Sequence, residues 1–346
     1  MKYNKLGTSD LNVSEICLGT MTYGHQNTIE EAYQQLDYAV TQGINFIDTA
    51  EMYPVPPRGE TQGKTEAYIG EWLKKQQRDK LIVATKIAGP SRPFSWLRGG
   101  NNKVDRENIT QAVNDSLERL QTDYIDLYQI HWPDRYVPTF GQTSYNPELE
   151  RETVPIAEQL QAFADVIKAG KIRYLGLSNE TPWGVSEFVR IANDLGLPKV
   201  LTTQNAYNLL NRNFESGLAE VYRYTDVGLL AYSPLGFGFL TGKYIENQQL
   251  ENTRISLFPG FGQRYLKPNV QEAVKAYAEL AKKYNLSPAQ LAIAFVKSRW
   301  FVKSTIIGAT NLAQLQENID SVNVVLEKEI FTEIDAIHTR YPNPAP

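Results

Sequence analysis

One cysteine, Cys17, and three histidines, His25, His131 and His338, are all the thiol and imidazole groups the 346 residues carry. A lone thiol excludes an internal disulfide. Between Ile16 and Leu18 it reads as a small buried hydrophobe rather than a nucleophile. No two histidines stand at metal-ligand spacing, which leaves a metal-dependent hydrolase the weakest enzymatic reading and predicts no metal. No apolar run approaches ~18 residues, so no membrane span is expected. No secretory signal opens the sequence, and a reducing cytoplasm is the expected compartment. Net charge is −4 with no run of Lys or Arg, which argues against a nucleic-acid partner.

What is present is an ordinary globular composition, 42% hydrophobic and 21% charged, organised as a repeat. Short apolar runs alternate with segments of helical period. The runs end at Gly19, Asp48, Lys86, His131, Asn179, Asn205, Ser233 and Ile307. Thr28 with Glu31 forms a capping box before a helix that Gly43 stops, and Thr181-Pro182 opens another that Gly196 ends. The segment from Tyr3 to Ser14 turns at Gly-Thr-Ser-Asp and reads as a β-hairpin. Uninterrupted apolar strands suit a parallel sheet covered on both faces. Eight strand–helix units predict a (β/α)8 TIM barrel of the α/β class, with an N-terminal hairpin and extra C-terminal helices, as a single domain over residues 1–346. The long connectors after Lys86, His131 and Ser233, and the Pro/Gly-rich stretch from Pro54 to Gly63, are the irregular parts. Long loops in compact domains usually border a site.

Four side chains at the C-terminal ends of neighbouring strands carry complementary chemistry: Asp48, Tyr53, Lys86 and His131. Alone, each has a bland alternative as a turn cap, a strand-end charge, a packed phenol or a satisfied core histidine. Together they make a proton donor. A neighbouring ammonium favours phenolate and is expected to bring a phenol, ordinarily near pKa ~10, toward neutrality. The ammonium in a dry pocket needs a carboxylate, and Asp48 supplies it. An imidazole beside the phenol can hold a carbonyl oxygen that gains negative charge.

These four residues resemble the catalytic tetrad of the aldo-keto reductases, in that family's order. Leu18-Gly-Thr20, Gly43 to Ala50, Ile172 to Asn179, Gln204-Asn205 and Tyr232-Ser-Pro-Leu235 extend the resemblance over nearly the whole chain. Glu51 to Arg58 and His131-Trp-Pro133 resemble its bacterial Tas-type branch. The resemblance implies NADP(H) across the barrel mouth. Ser178, Asn179 and Gln204 would hold the nicotinamide carboxamide, and Tyr232 would stack on the ring. Ser233, Leu235, Gly236 and Lys243 would follow the pyrophosphate. Arg254, Thr310 and Gln314 would hold the adenosine 2′-phosphate, with Glu317 and Asn318 at the adenine. Thr20, Met21, Asp48, Pro234, Gly238 and Gly308 would also meet the cofactor. An arginine fork suits a phosphate dianion and favours NADP over NAD. Periodicity alone would make Gln314 and Glu317 an exposed helix face. The segment Gly236-Phe-Gly-Phe-Leu-Thr-Gly-Lys243 matches neither the Rossmann nor the Walker spacing.

The expected activity is NADPH-dependent reduction of small aldehydes or ketones, with Tyr53 as general acid. Its rival is a cofactor-loaded regulatory subunit with slow turnover, resembling channel β-subunits. Trp132, Trp96 and the Tyr341–Pro346 tail are candidates for shaping the pocket, each with plain packing as the alternative. Substrate identity and oligomeric state are not legible.

Overall fold

The computed structural model describes residues 1–90, 94–246, 250–251 and 253–346. The connectors after Lys86 and Ser233 include residues 91–93, 247–249 and 252, which lie outside the described residues. Ten strands occur among the described residues. β1 (Tyr3–Lys5) and β2 (Asn12–Ser14) pair antiparallel. The other eight are β3 (Ile16–Gly19), β4 (Phe46–Asp48), β5 (Ile82–Ile87), β6 (Ile125–Ile130), β7 (Ile172–Ser178), β8 (Val200–Ala206), β9 (Gly228–Tyr232) and β10 (Val302–Ile307). These eight are parallel and close into a barrel, with β10 returning to β3. The expected (β/α)8 architecture is what the chain adopts.

Helices form where caps and apolar stripes begin them. α1 (Ile29–Thr41) starts at the Thr28 capping box, in which Glu31 reaches back to the Thr28 amide. α2 (Lys64–Leu73) follows the proline-rich loop. α3 (Arg106–Leu120) is capped by Asp105, whose carboxylate accepts from the Asn108 amide at 2.9 Å. α4 (Ile156–Lys168), α5 (Pro182–Leu195) and α6 (Leu218–Thr225) continue the ring. Gly196 ends α5 in the left-handed region at φ 65°. The link from β9 to β10 then departs from one helix per strand. It holds the short α7 (Arg254–Leu257), α8 (Pro268–Lys283) and α9 (Pro288–Lys297). α10 (Leu312–Asp320) and α11 (Lys328–Arg340) finish the chain.

Strand alternation sorts the interior into layers. Phe46, Ala84, Leu127, Leu201 and Leu230 pack with Leu6 and Leu11 of the hairpin, which plugs the N-terminal end of the barrel. Cys17 lies in this layer, fully buried, as its apolar neighbours indicated. Two residues further along the strands, the interior turns polar: Asp48, Lys86 and Gln129 succeed Phe46, Ala84 and Leu127. The apolar plug therefore sets a floor, and the chemistry sits above it at the C-terminal end.

Candidate active site

β4 ends on Asp48, and β5 carries Lys86 on the same inward-facing row. Lys86 is fully buried. Its Nζ lies 2.6 Å from Asp48 Oδ2 and donates a second hydrogen bond to the Thr49 carbonyl at 2.6 Å. Burial alone would lower the Lys86 pKa. The Asp48 carboxylate and the Tyr53 phenol more than offset it, so the ammonium is held above its usual value. The other carboxylate oxygen, Oδ1, accepts from Gln204 Nε2 at 2.8 Å and Gln129 Nε2 at 3.1 Å. Asp48 is thus a buried anion with every strong partner in place.

Tyr53 stands on the loop after β4. Its amide donates to the Ala50 carbonyl at 3.0 Å, and its carbonyl accepts from Gly63 at 2.9 Å. Met21 takes the Val55 amide at 2.9 Å, so the proline-rich connector is stitched to the barrel rim on both sides of the phenol. The Tyr53 ring centroid is 5.1 Å from Lys86 Nζ and 5.8 Å from the His131 ring, which meets it edge-on. His131, one residue past β6, is anchored by its backbone. Its amide donates to Ile87 and its carbonyl accepts from Asn179 Nδ2 at 2.8 Å. The four expected residues therefore converge.

The expected acidity of Tyr53 needs correction. Burial pushes the phenol up and Lys86 pulls it down, by charge and by hydrogen bonding, while Asp48 pushes it up again; the balance is a pKa above the ordinary phenol value. Counting charged neighbours in a sequence captures the pull of Lys86 but not desolvation, which here is the larger effect. The ammonium limits the rise rather than producing a fall.

A cleft of about 670 Å³ opens above this group. Of the twenty residues expected to meet a substrate or cofactor there besides Lys86 and Gly236, all line it. Lys86 lies behind Asp48 and Tyr53. Gly236 is buried at φ 53° beside the wall, where a Cβ would meet Leu210 and Tyr265. At the catalytic end, the Tyr232 hydroxyl donates to Asn179 Oδ1 at 2.7 Å, and Ser178 Oγ donates to the Gln204 carbonyl at 2.9 Å. Thr20 donates its hydroxyl to the Asp48 carbonyl at 2.8 Å.

At the other end the wall turns cationic. Arg254 lies over the Phe237 ring at 4.9 Å, and Lys243 crowds Gly238. Burial lowers both pKa values, and for Lys243 the Arg254 charge lowers it further. Among the described residues no carboxylate forms an ion pair with either. Two like charges lining one cleft without an ion-pair partner could hold an anion, and the donor set fits a dinucleotide phosphate. Gln314 is no idle surface residue: its carbonyl accepts from the Thr310 amide and hydroxyl at 3.0 and 3.1 Å. Asn318 donates to the Gly308 carbonyl, and Glu317 accepts from Ser287 at 2.7 Å.

Sequence reasoning missed Gln129, buried behind the wall two residues before His131, and several wall residues. Met52, Val55 and Phe261 join Trp132 in an apolar cluster beside Tyr53, and Phe140 meets Trp132 edge-on at 6.4 Å. Of the aromatic candidates, Trp132 lines the cleft. Trp96 instead packs on Phe94 at 5.1 Å and against Gly59. The C-terminal tail also stays off the wall, tied by the Ala345 amide to the Leu210 carbonyl at 3.0 Å.

A model of the aldo/keto reductase family matches residues 15–339. The chain belongs to that family. It is 50% identical to protein Tas of Escherichia coli K12 over the full length of both. It is 40% identical to an aldo-keto reductase of Babesia bovis, over 77% of this chain and 98% of the other. It is 31% identical to a probable voltage-gated potassium channel subunit beta of rice, over 97% and 96%. Aldo/keto reductases are oxidoreductases that act on small carbonyl compounds with a nicotinamide dinucleotide. No helix of this family member, among the described residues, is long and apolar enough to cross a membrane.

Proposed function

We propose that the chain is an NADPH-dependent reductase of aldehydes or ketones, acting as one catalytic unit over its whole length in the cytoplasm. The observation that carries this is the buried Lys86–Asp48 pair set behind Tyr53 at one end of the cleft, with Arg254 and Lys243 at the other. When bound, NADPH supplies a hydride to the carbonyl carbon. Tyr53 donates the proton to the carbonyl oxygen as that oxygen gains charge. Lys86 stabilises the phenolate left behind, and Asp48 keeps Lys86 charged and in place. His131 hydrogen-bonds the same oxygen and fixes the direction from which the carbonyl presents itself. Met52, Val55, Trp132 and Phe261 exclude water there, which strengthens each of these interactions. Asn179, Ser178 and Gln204 would hold the carboxamide, Tyr232 would lie against the ring, and Arg254 with Gln314 and Thr310 would receive the 2′-phosphate, favouring NADP over NAD.

Mixing the protein with NADPH and a panel of small aldehydes, followed by loss of reduced-nicotinamide absorbance, tests the reading. Sustained turnover supports it. The likeness to a channel subunit favours one rival, a cofactor-loaded regulatory protein, and tight NADPH binding with almost no turnover on any aldehyde would favour that rival.

A further inference from the structure

Gln129 is fully buried in the polar layer of the barrel, a place where a glutamine has few reasons to be. Its strand register sets it beside Lys86 on one neighbour and Gly176 on the other. Gly176 makes the room: a Cβ there would lie 3.1 Å from Gln129 Cγ and 2.7 Å from Thr202 Oγ1. Both halves of the amide are engaged. Nε2 donates to Asp48 Oδ1 at 3.1 Å, and Oε1 accepts from Gln204 Nε2 at 3.2 Å. Gln204 Nε2 meanwhile donates to the same Asp48 oxygen at 2.8 Å. Three side chains thus share one small network, and Asp48 Oδ1 has two donors, so either can leave and the oxygen still keeps one.

That redundancy has a use. Gln204 lines the cleft, whereas Gln129 does not. If Gln204 turns its amide toward a bound carboxamide, Asp48 Oδ1 loses a donor in a site shut off from water. A buried carboxylate oxygen left without one carries a large desolvation penalty. Gln129 stays behind to hold it.

We propose that Gln129 is a positioning residue: it keeps the Asp48 carboxylate satisfied and the Lys86–Asp48 pair in register while Gln204 is released to the nicotinamide carboxamide. This rests on the cofactor reading above. The role belongs to the nicotinamide end alone, because Gln129 touches nothing at the adenosine end.

The test compares two ligands. NADPH carries both ends, whereas 2′,5′-ADP carries the adenosine 2′-phosphate and no nicotinamide. In Q129L, NADPH affinity measured by fluorescence titration should fall roughly tenfold or more, the equivalent of ~1.5 kcal/mol for a lost hydrogen bond to a charged group, while 2′,5′-ADP binds as in wild type. Q129E, which keeps the shape and the acceptor, guards against a folding defect in the leucine variant. Its added carboxylate, facing Asp48, should weaken binding of NADPH at neutral pH. Acidification should restore that binding relative to wild type, because a protonated carboxyl regains a donor for Asp48. An unchanged NADPH affinity in Q129L, or an equal loss for both ligands, would overturn the inference. So would Q129E binding that ignores pH. A wild-type protein that binds no NADPH would instead remove the cofactor reading itself.

Discussion

Replacing Lys86 by methionine deletes an ammonium that Asp48 faces at 2.6 Å with neither group open to solvent. The aliphatic stem keeps its volume, so the loss is electrostatic. Asp48 keeps its two amide donors but holds an uncompensated buried charge, and breaking a buried pair from one side destabilises by about 3–5 kcal/mol. A chain of 346 residues unfolds with an entropy of roughly 0.7 kcal/mol/K, from ~2.1 cal/mol/K per residue. The melting temperature should therefore drop by about 4–7 °C. Adding Asp48→Asn to Lys86→Met removes the orphaned charge. The asparagine carbonyl still accepts from Gln129 and Gln204. The double variant should then melt above Lys86→Met alone while regaining no activity, because the group that stabilises the phenolate is gone. Thermal unfolding by circular dichroism on the four proteins of this cycle gives the coupling directly. Losses that simply add would refute the idea that these two side chains act as one ion pair, and turnover in Lys86→Met near the wild-type rate would refute their part in the chemistry.

Tyr53→Phe should lower turnover by about 10²–10⁴-fold, the usual contribution of a positioned acid, with NADPH binding by fluorescence unchanged. Arg254→Ala should weaken NADPH about 10–100-fold through loss of a charge-assisted contact and leave NADH little changed; an equal loss for both cofactors would contradict the 2′-phosphate assignment. Because the Tyr53 phenol is raised, its acid form persists below that pKa and disappears as pH climbs through it. The alkaline limb of kcat/KM should accordingly lie above pH ~10, and the residual activity of Lys86→Met should show it displaced further upward. Gly70→Ala would drive a Cβ into the backbone of Arg119 and Leu120 where α2 meets α3, so unfolding measurements should show a loss of about 3 kcal/mol or more.

The barrel was legible because buried parallel strands write continuous apolar runs, and a charged residue ending such a run has only the barrel mouth to occupy. The same logic located Asp48, Lys86 and His131. It passed over Gln129 because a glutamine inside a strand reads as an interruption, although its two-residue offset from His131 puts both on one face. The wall contributed by Phe261 to Tyr265 was silent for a different reason. That segment folds as short turns rich in Gly and aromatics, and no period announces which side faces the cleft. The direction of the Tyr53 shift was misjudged because burial of a loop residue depends on what covers it. Here the cover includes Phe261, from the link between β9 and β10.

The central claim is that hydride and proton reach the carbonyl from different places, the first from the dinucleotide and the second from Tyr53. NADPH deuterated at C4, incubated with the protein and an aldehyde in ordinary water, separates the two. The alcohol product should carry deuterium on its carbinol carbon, and the reverse experiment, ordinary NADPH in heavy water, should leave that carbon unlabelled. An alcohol whose carbon takes its label from solvent, or no alcohol at all, would contradict the account.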